Sequence, residues 1–238
     1  MRRVNATSDM AADSFLHAIV HDLKAPLGVI RSYSLELEQA LSEGVVEQSD
    51  IQAITSASEE SIKLVQDLLA VFKLQKSQTE LPLAPLSIDR ELRIVKDELS
   101  GVSENYQREI KIRGLKRGST AVMANQWYLR RSLSNLLQNA IKYSHGKKPI
   151  VLKSIQTKGF TELQVIDNGP ELSNVDLLSL QGSLSGFKTK RSAGSSNLGL
   201  YLTGRMVEAM NIEVLYQPQD KGNVFMLRIP NIQQLSLF

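Results

Sequence analysis

The chain has 238 residues, a formal charge of +3, 42% hydrophobic and 22% charged residues. That balance supports a packed core in one large domain or two small ones and excludes wholesale disorder. Cysteine is absent, which removes disulfides, thiolate zinc sites, iron–sulfur centres and cysteine nucleophiles. Three histidines, His17, His21 and His145, leave little for a histidine metal cluster. No basic run reaches the density of a nucleic-acid groove, so no nucleic acid is expected as a partner. Short clusters such as Lys147-Lys148 and residues 188–191 read as solvated loops. No stretch of roughly 18 apolar residues occurs, and Met1 to Asp13 is polar, without an apolar signal core. The expectation is a cytoplasmic protein with no direct membrane insertion, its sensory input coming from a separate sensor protein or from a region outside this sequence.

The first third reads as two long helices. Apolar or small residues fall at Leu16, Ile19, Leu23, Pro26, Ile30, Tyr33, Leu37 and Ala40, alternating steps of three and four in the manner of a heptad seam. Residues 42–49 break the pattern around Gly44, and a second seam runs Ile51, Ile54, Ser58, Ser61, Val65, Leu68, Phe72. Ala57, Ile62, Leu64 and Leu69 widen its apolar stripe. Two such helices with a short connection form an antiparallel hairpin. Its apolar surface is satisfied either by dimerisation into a four-helix bundle or by packing of the hairpin on its own C-terminal domain.

Residues 75–87 contain Pro82 and Pro85 and read as a linker. Beyond it the pattern is mixed. Residues 88–103 read as helical and 109–113 as a short strand, with 120–124 as its partner. Residues 126–144 form a strong helix. Strands at 150–156 and 161–166 make a hairpin through Lys158-Gly159, residues 171–193 a long loop with one short helix, and 198–210 a helix. Strands at 212–216 and 224–229 join near residues 220–223. Helices with mostly antiparallel strands make an α+β sandwich.

Four constellations carry polar chemistry. With Leu16 and Ile19 in the seam, His21 falls on the outermost stripe and Asp22 follows it directly. A carboxylate beside an exposed imidazole orients the ring for attack on an electrophile, although surface decoration is the commoner fate of such a histidine. His17 lies one turn away, but no acidic ligand completes a metal site. Pro26, inside the helix, removes a hydrogen bond to the Asp22 carbonyl and should bend the helix below His21. Further on, Asn135 and Asn139 share one helix face, continued by Lys142 and Tyr143. An amide oxygen ligates Mg²⁺, a lysine meets a phosphate and a tyrosine covers a base, yet an ordinary polar face is as good a reading. Residues 166–170 close a strand on Asp167-Asn168-Gly169, which suits recognition of an amino group and is also simply a good turn. Residues 194–200 put small residues before a helix, a phosphate cradle that is neither a P-loop nor a dinucleotide fingerprint.

Taken in order, these motifs resemble the catalytic core of two-component sensor histidine kinases over nearly the whole chain. Residues 21–27, His-Asp-Leu-Lys-Ala-Pro-Leu, match the phosphoacceptor box, and residues 135–144, Asn-Leu-Leu-Gln-Asn-Ala-Ile-Lys-Tyr-Ser, are a near-complete Asn box. Residues 167–170 match the first glycine box. Phe187-Lys188-Thr189-Lys190 is similar to the phenylalanine box, and Leu198-Gly199-Leu200 to the end of the second glycine box. Residues 222–230 resemble the last strand of that fold.

The resemblance implies an N-terminal antiparallel hairpin (residues 1–76) forming a dimeric four-helix bundle of the HisKA type. A linker (77–86) and an α/β sandwich ATP-binding domain of the GHKL type (87–232) would follow, with a tail at 233–238. It implies ATP and Mg²⁺ as cofactors, a homodimer, and a response regulator receiver domain as partner. By residue, His21 would accept the γ-phosphoryl group with help from Asp22, Asn139 would ligate Mg²⁺ with Asn135 nearby, and Lys142 would approach the phosphates. Tyr143 would line the adenine pocket, Asp167 would bond the adenine amino group and Gly169 would allow close approach of the nucleotide. Residues 171–198 would form the lid, and Lys190, Leu198, Gly199 and Leu200 would bind ATP.

The sequence departs from the family pattern at three places. Glu171 stands where a second glycine is usual, Ser195 and Asn197 replace glycines of the second glycine box, and Ala25 stands where a polar residue usually positions water for dephosphorylating the regulator. Weaker ATP binding and feeble phosphatase activity are the expectations. The alternative is a phosphotransfer protein or regulator-binding scaffold with a degenerate ATP site.

Overall fold

The computed structural model describes residues 5–43, 47–76, 81–114, 121–183 and 198–231. The chain divides into two compact units, one carrying the hairpin up to Lys76 and one built on residues 77–186 and 199–238. In the first, helices α1 (Asn5–Glu43) and α2 (Gln48–Lys76) pack on each other. Both extend into the segment expected to break them. On α1 the expected seam stands: Ile19 and Pro26 are buried and Leu23, Ile30, Tyr33, Leu37 and Ala40 half-buried, while Val20, Leu27 and Leu35 are exposed. The Leu16 side chain lies outside the described residues. Pro26 sits inside the helix as expected.

On α2 the expected seam stands at Ile54, Ser58, Ser61 and Leu68, all half-buried, and fails at Ile51, Val65 and Phe72, which are exposed; Ala57 is buried and Leu64 half-buried beside it. Small residues allow this face to be the inner one, because Ser58 and Ser61 turn their hydroxyls back to the carbonyls of Ile54 (2.8 Å) and Ala57 (2.9 Å). No described helix is long and apolar enough to cross a membrane.

The second unit is an α/β sandwich, as expected. In chain order it contains β1 (Ala84–Ser87), α3 (Ile88–Glu98), α4 (Ser100–Asn105), β2 (Ile110–Arg113), β3 (Ala121–Ala124), α5 (Gln126–Tyr143), β4 (Ile150–Gln156) and β5 (Phe160–Asp167). Then come α6 (Asn174–Leu180), α7 (Leu198–Ala209), β6 (Glu213–Gln219) and β7 (Gly222–Pro230). A five-stranded sheet runs β2-β4-β5-β7-β6, parallel only at β2–β4. Two expectations need correction. Residues 84–87, read as linker, form strand β1, and β3 pairs antiparallel with β1 rather than with β2. β2 instead joins β4 in parallel, which needs a long crossover, and α5 lies within it. Pro85 is tolerated because β1 belongs to a two-stranded ribbon.

Alternation builds the core. Thr161, Leu163, Val165 and Asp167 of β5 point to the buried face, opposite Ile229, Leu227, Phe225 and Asn223 of β7. On α5, Leu129, Leu133, Leu136, Leu137, Ala140 and Ile141 are buried. Asn125 caps this helix by accepting from the Tyr128 N–H (3.1 Å), and its amide donates to the Pro82 carbonyl (3.1 Å). Glu91 of α3 is buried and paired with Arg130 of α5, and Gln126 donates to the same carboxylate at 3.0 Å. A buried carboxylate held by two donors fixes the helix that carries the Asn box. The other face of the sheet is polar at its end, where Arg228 pairs with Glu162 (3.0 Å) and Glu213 (2.9 Å).

Candidate functional site

Each unit carries its own chemistry. In the hairpin the His21 side chain is 72% exposed, and its Nδ1 lies 3.5 Å from Oδ1 of Asp22, which is 18% exposed. The seam explains the exposure, since a position opposite a buried stripe has no neighbour to pack on. A carboxylate on this side favours the tautomer with its proton on Nδ1 and leaves the lone pair on Nε2. His17 is also exposed, and no group of three His, Asp or Glu able to hold a metal occurs among the described residues. Ala25, one turn after His21, is exposed too.

In the sandwich, α5 delivers the Asn box. Asn135 is buried, and its Nδ2 donates to the Gly199 carbonyl at 3.2 Å, an oxygen that also accepts from Thr203 Oγ1 at 2.8 Å. Asn135 therefore ties α5 to the first turn of α7, where Leu198 opens the helix and Leu200 is buried. One turn on, Asn139 is half-buried. Lys142 is exposed, with its ammonium 5.3 Å from the centroid of the half-buried Tyr143 ring.

Asp167 ends β5 and is 5% exposed. Its Oδ1 accepts from the Gly169 N–H (2.7 Å) and from Asn223 Nδ2 (2.9 Å). Burial pushes this carboxyl above the ordinary aspartate value, and the two donors pull it partly back. Both bonds end on Oδ1, and no bond to Oδ2 occurs among the described residues. A buried carboxylate with one oxygen filled and the other open is an acceptor poised for an N–H group.

The turn is braced against the end of α5. A Cβ on Gly169 would lie 3.1 Å from the Tyr143 carbonyl oxygen and 3.2 Å from Asp167 Oδ1, so the backbone runs close there. Asn168 donates its N–H to Ser144 Oγ (3.2 Å), His145 donates its N–H to the Asn168 carbonyl (3.1 Å), and Arg108 donates to the carbonyls of Ser144 and Gly146. The structure thus brings Tyr143, Asp167 and Gly169 to one corner and joins Asn135 to Gly199. Lys190, with the rest of residues 187–190, and Gly194, Ser195 and Asn197 lie outside the described residues. Glu171 is exposed just after the turn.

Sequence reasoning missed Asn223 and Tyr216. Asn223 donates to Asp167 and to the Pro170 carbonyl (2.9 Å), and Tyr216 donates to Asn223 Oδ1 (2.6 Å) while accepting from the Leu172 N–H (2.9 Å). The signal that finds them is the β5–β7 register, which sets Asp167 opposite Asn223. Asp167 with its open oxygen beside the close backbone at Gly169 has the chemistry to accept from the amino group of a purine, and the amide oxygen of Asn139, one turn before Tyr143 on α5, is of the kind that ligates a divalent cation.

Residues 124–233 match the family of histidine kinase-, DNA gyrase B-, and HSP90-like ATPases. The Bacillus subtilis sensor histidine kinase YkoH is 32% identical over 205 residues, covering 84% of this chain and 43% of that protein. The Acinetobacter baumannii histidine kinase AdeS shares the fold with a TM-score of 0.65 at 19% identity, over 89% of this chain and 98% of that chain. Histidine kinase ThkA, solved in complex with the response regulator TrrA, matches with a TM-score of 0.61 at 15% identity, over 92% of this chain and 62% of that chain. The chain spans less than half the length of the curated relatives it matches. Residues 124–233 thus match the ATPase family that groups histidine kinases with DNA gyrase B and HSP90, and the hairpin followed by this region resembles the HisKA/GHKL catalytic core of sensor histidine kinases.

Proposed function

We propose that the chain is an ATP-dependent protein histidine kinase that works as a homodimer, phosphorylates its own His21 and passes the phosphoryl group to an aspartate of a response regulator receiver domain. The observation that carries this reading is the exposed His21 imidazole, with Nδ1 3.5 Å from Asp22, in the same chain as an ATPase-family domain. The Nε2 lone pair attacks the γ-phosphorus of ATP. A bond forms between Nε2 and phosphorus, the bond from phosphorus to the β,γ-bridging oxygen breaks, and ADP leaves with the electron pair. Positive charge that builds on the ring is relieved as the Nδ1 proton moves toward Asp22. An exposed imidazole on a helix is then open to a second partner, and a regulator suits that role; ThkA, similar in fold, is solved in complex with one.

In the ATP site, Asp167 accepts a hydrogen bond from the adenine amino group, Tyr143 lines the base pocket and Gly169 lets the base approach the backbone. Asn139 is the proposed ligand of Mg²⁺, which when bound offsets the charge of the phosphates. Asn135 supports that side through Gly199, Lys142 approaches the phosphates, and Lys190, Leu198, Gly199 and Leu200 are the remaining proposed ATP-binding residues. The test is incubation with radiolabelled ATP and Mg²⁺, comparing the chain with His21→Ala. Acid-labile, alkali-stable label that vanishes in the variant is the expected result. A second reading, a phosphotransfer protein or scaffold with a degenerate ATP site, is favoured by Glu171, whose carboxylate adds negative charge beside the Asp167 turn. Folded chain that binds no nucleotide and takes no label would establish that reading instead.

A further inference from the structure

The bonds around Asp167 have a forced direction. Leu172 N–H can only donate, so the Tyr216 oxygen accepts from it at 2.9 Å and turns its single hydrogen to Asn223 Oδ1 at 2.6 Å. That fixes the amide of Asn223: its Nδ2 must face Asp167 Oδ1 (2.9 Å), with the carbonyls of Pro170 (2.9 Å) and Gly169 (3.3 Å) also in reach. The opposite orientation would set an oxygen against three acceptors and leave the tyrosine hydroxyl without one, in a place where Asn223 is buried. Ring packing holds the origin of the chain, since Tyr216 lies 5.3 Å from Phe225, its partner in the β6–β7 ladder. Burial also holds the Tyr216 hydroxyl above the ordinary tyrosine value, so it keeps the hydrogen it donates.

With two donors on Oδ1, a proton has no room on that oxygen, and recognition is left to Oδ2. We infer that Tyr216 and Asn223 are positioning residues of the nucleotide site, whose hydrogen-bond chain presents Asp167 as an acceptor with one open oxygen and so selects a purine bearing an exocyclic amino group over one bearing a carbonyl. The inference rests on the nucleotide-site reading above and adds the origin of base selectivity to it. A carbonyl at the same place would meet an acceptor with an acceptor.

The test is calorimetric titration of the full chain with MgATP and with MgITP, which differ at C6, amino in the first and carbonyl in the second, with a hydrogen added on the neighbouring N1 of the second. The parent is expected to prefer ATP. In Tyr216→Phe and Asn223→Ala the ATP affinity is expected to fall about tenfold, and the ATP-to-ITP ratio with it. Asn223→Asp, which sets carboxylate against carboxylate, should fall further. Tyr216→Phe removes a single oxygen and keeps the ring against Phe225, so it remains decisive if Asn223→Ala does not fold. A purely structural role would lower the melting temperature and both affinities together while leaving the ratio intact; that result, or unchanged affinities, overturns the inference alone. A folded parent that binds neither nucleotide, or an Asp167→Asn variant with the parent's selectivity, overturns the nucleotide reading and the inference with it.

Discussion

The hairpin and the sandwich use apolar residues in opposite ways. In the sandwich the large side chains are inside: Leu129, Leu133, Leu136, Leu137, Ile141, Leu163 and Leu227 are essentially free of solvent contact. In the hairpin the buried positions are few and often small, Pro26, Ala57 and Ala70 among them, while Leu35, Leu41, Ile62, Leu69 and Phe72 are exposed. The chemistry follows the same division. The sandwich encloses a carboxylate in a network that fixes each hydrogen, and the hairpin leaves an imidazole open to solvent. A recognition site needs a rigid frame that shapes one ligand. A relay group needs only to be reached, by more than one partner in turn.

Glycine substitutions give the largest contrast between the two regions. Gly222 has a φ of +124°, and a Cβ there would lie 2.0 Å from the Asp167 carbonyl oxygen and 2.9 Å from the Asn168 Cα. Backbone strain and overlap with a braced turn should together cost about 3 kcal/mol or more. Gly222→Ala is expected to lower the melting temperature by about 10 °C and to weaken nucleotide binding. At Gly28 on α1, an added Cβ meets nothing within 4 Å. Gly28→Ala should therefore stabilise the helix by about 0.5–1 kcal/mol. Melting curves of the two variants with equal shifts would erase the contrast.

The features legible in the sequence were those written in short-range pattern. The α1 seam, the α5 helix, the β4–β5 hairpin and the Asp167-Asn168-Gly169 turn all follow from periodicity or turn chemistry within a few residues. What was not legible depends on partners distant along the chain. Strand β1 follows Pro82 and itself contains Pro85, and becomes a strand only by pairing with β3. On α2 the seam departs from the pattern at Ile51, Val65 and Phe72, which are exposed while the neighbouring Leu64 and Ala70 turn inward, a choice set by contact with α1. Asn223 reads as an ordinary hairpin residue until the β5–β7 register brings it to Asp167. The exposed His21 was read from its place opposite the seam, but its role came from motif order, since an exposed histidine has no periodic signature of function.

The next largest effect concerns the exposed stripe of α2. Ile62, Val65, Leu69 and Phe72 recur at steps of three and four and are all exposed. We propose that a second copy covers them, and Leu69, at 53% exposure, is the place to test it. Burying a leucine is worth about 1.5–3 kcal/mol, and two-fold symmetry counts the contact twice. Leu69→Glu should weaken dimerisation by at least about a hundredfold, read as a shift from dimer to monomer in light scattering. The sandwich should keep its own nucleotide affinity in that variant. A parent that is already monomeric sinks the dimer and points to packing of the stripe within one chain.

Acidity probes the enclosed site through Asp167. The folded Asp167 carboxyl titrates above its ordinary value because of burial. Between the ordinary and the raised value, the folded chain keeps a proton that the unfolded chain releases, so this group makes the fold less stable as pH rises through that window. Nucleotide affinity has the opposite sign, because a protonated Oδ2 no longer accepts from an amino group. MgATP affinity is expected to fall with acidification, approaching about tenfold per pH unit below the folded Asp167 value. Asp167→Asn should flatten that dependence. The same slope in the variant would assign it to another group.

The smallest effect belongs to Ala25, and it asks whether the open imidazole can be served by a neighbour. Ala25 lies four residues after His21, on the same stripe of α1, and is exposed. Its methyl group offers no donor or acceptor, so it cannot hold a water in line with an acyl phosphate on a bound receiver domain. We therefore expect the unaltered chain to dephosphorylate its regulator weakly. Ala25→Thr adds a hydroxyl at a cost to the helix of about 0.5 kcal/mol, too little to disturb α1. A hydroxyl that orders one water should raise the phosphatase rate only a few-fold, on the order of 1 kcal/mol, because immobilising that water offsets part of the gain. Release of inorganic phosphate from a phosphorylated receiver domain reads this directly, with His21→Ala/Ala25→Thr as a control that autophosphorylation cannot mask. A fast rate in the unaltered chain would mean that the water is held by some other group, and the open side of the hairpin would then be less bare than its exposed alanine suggests.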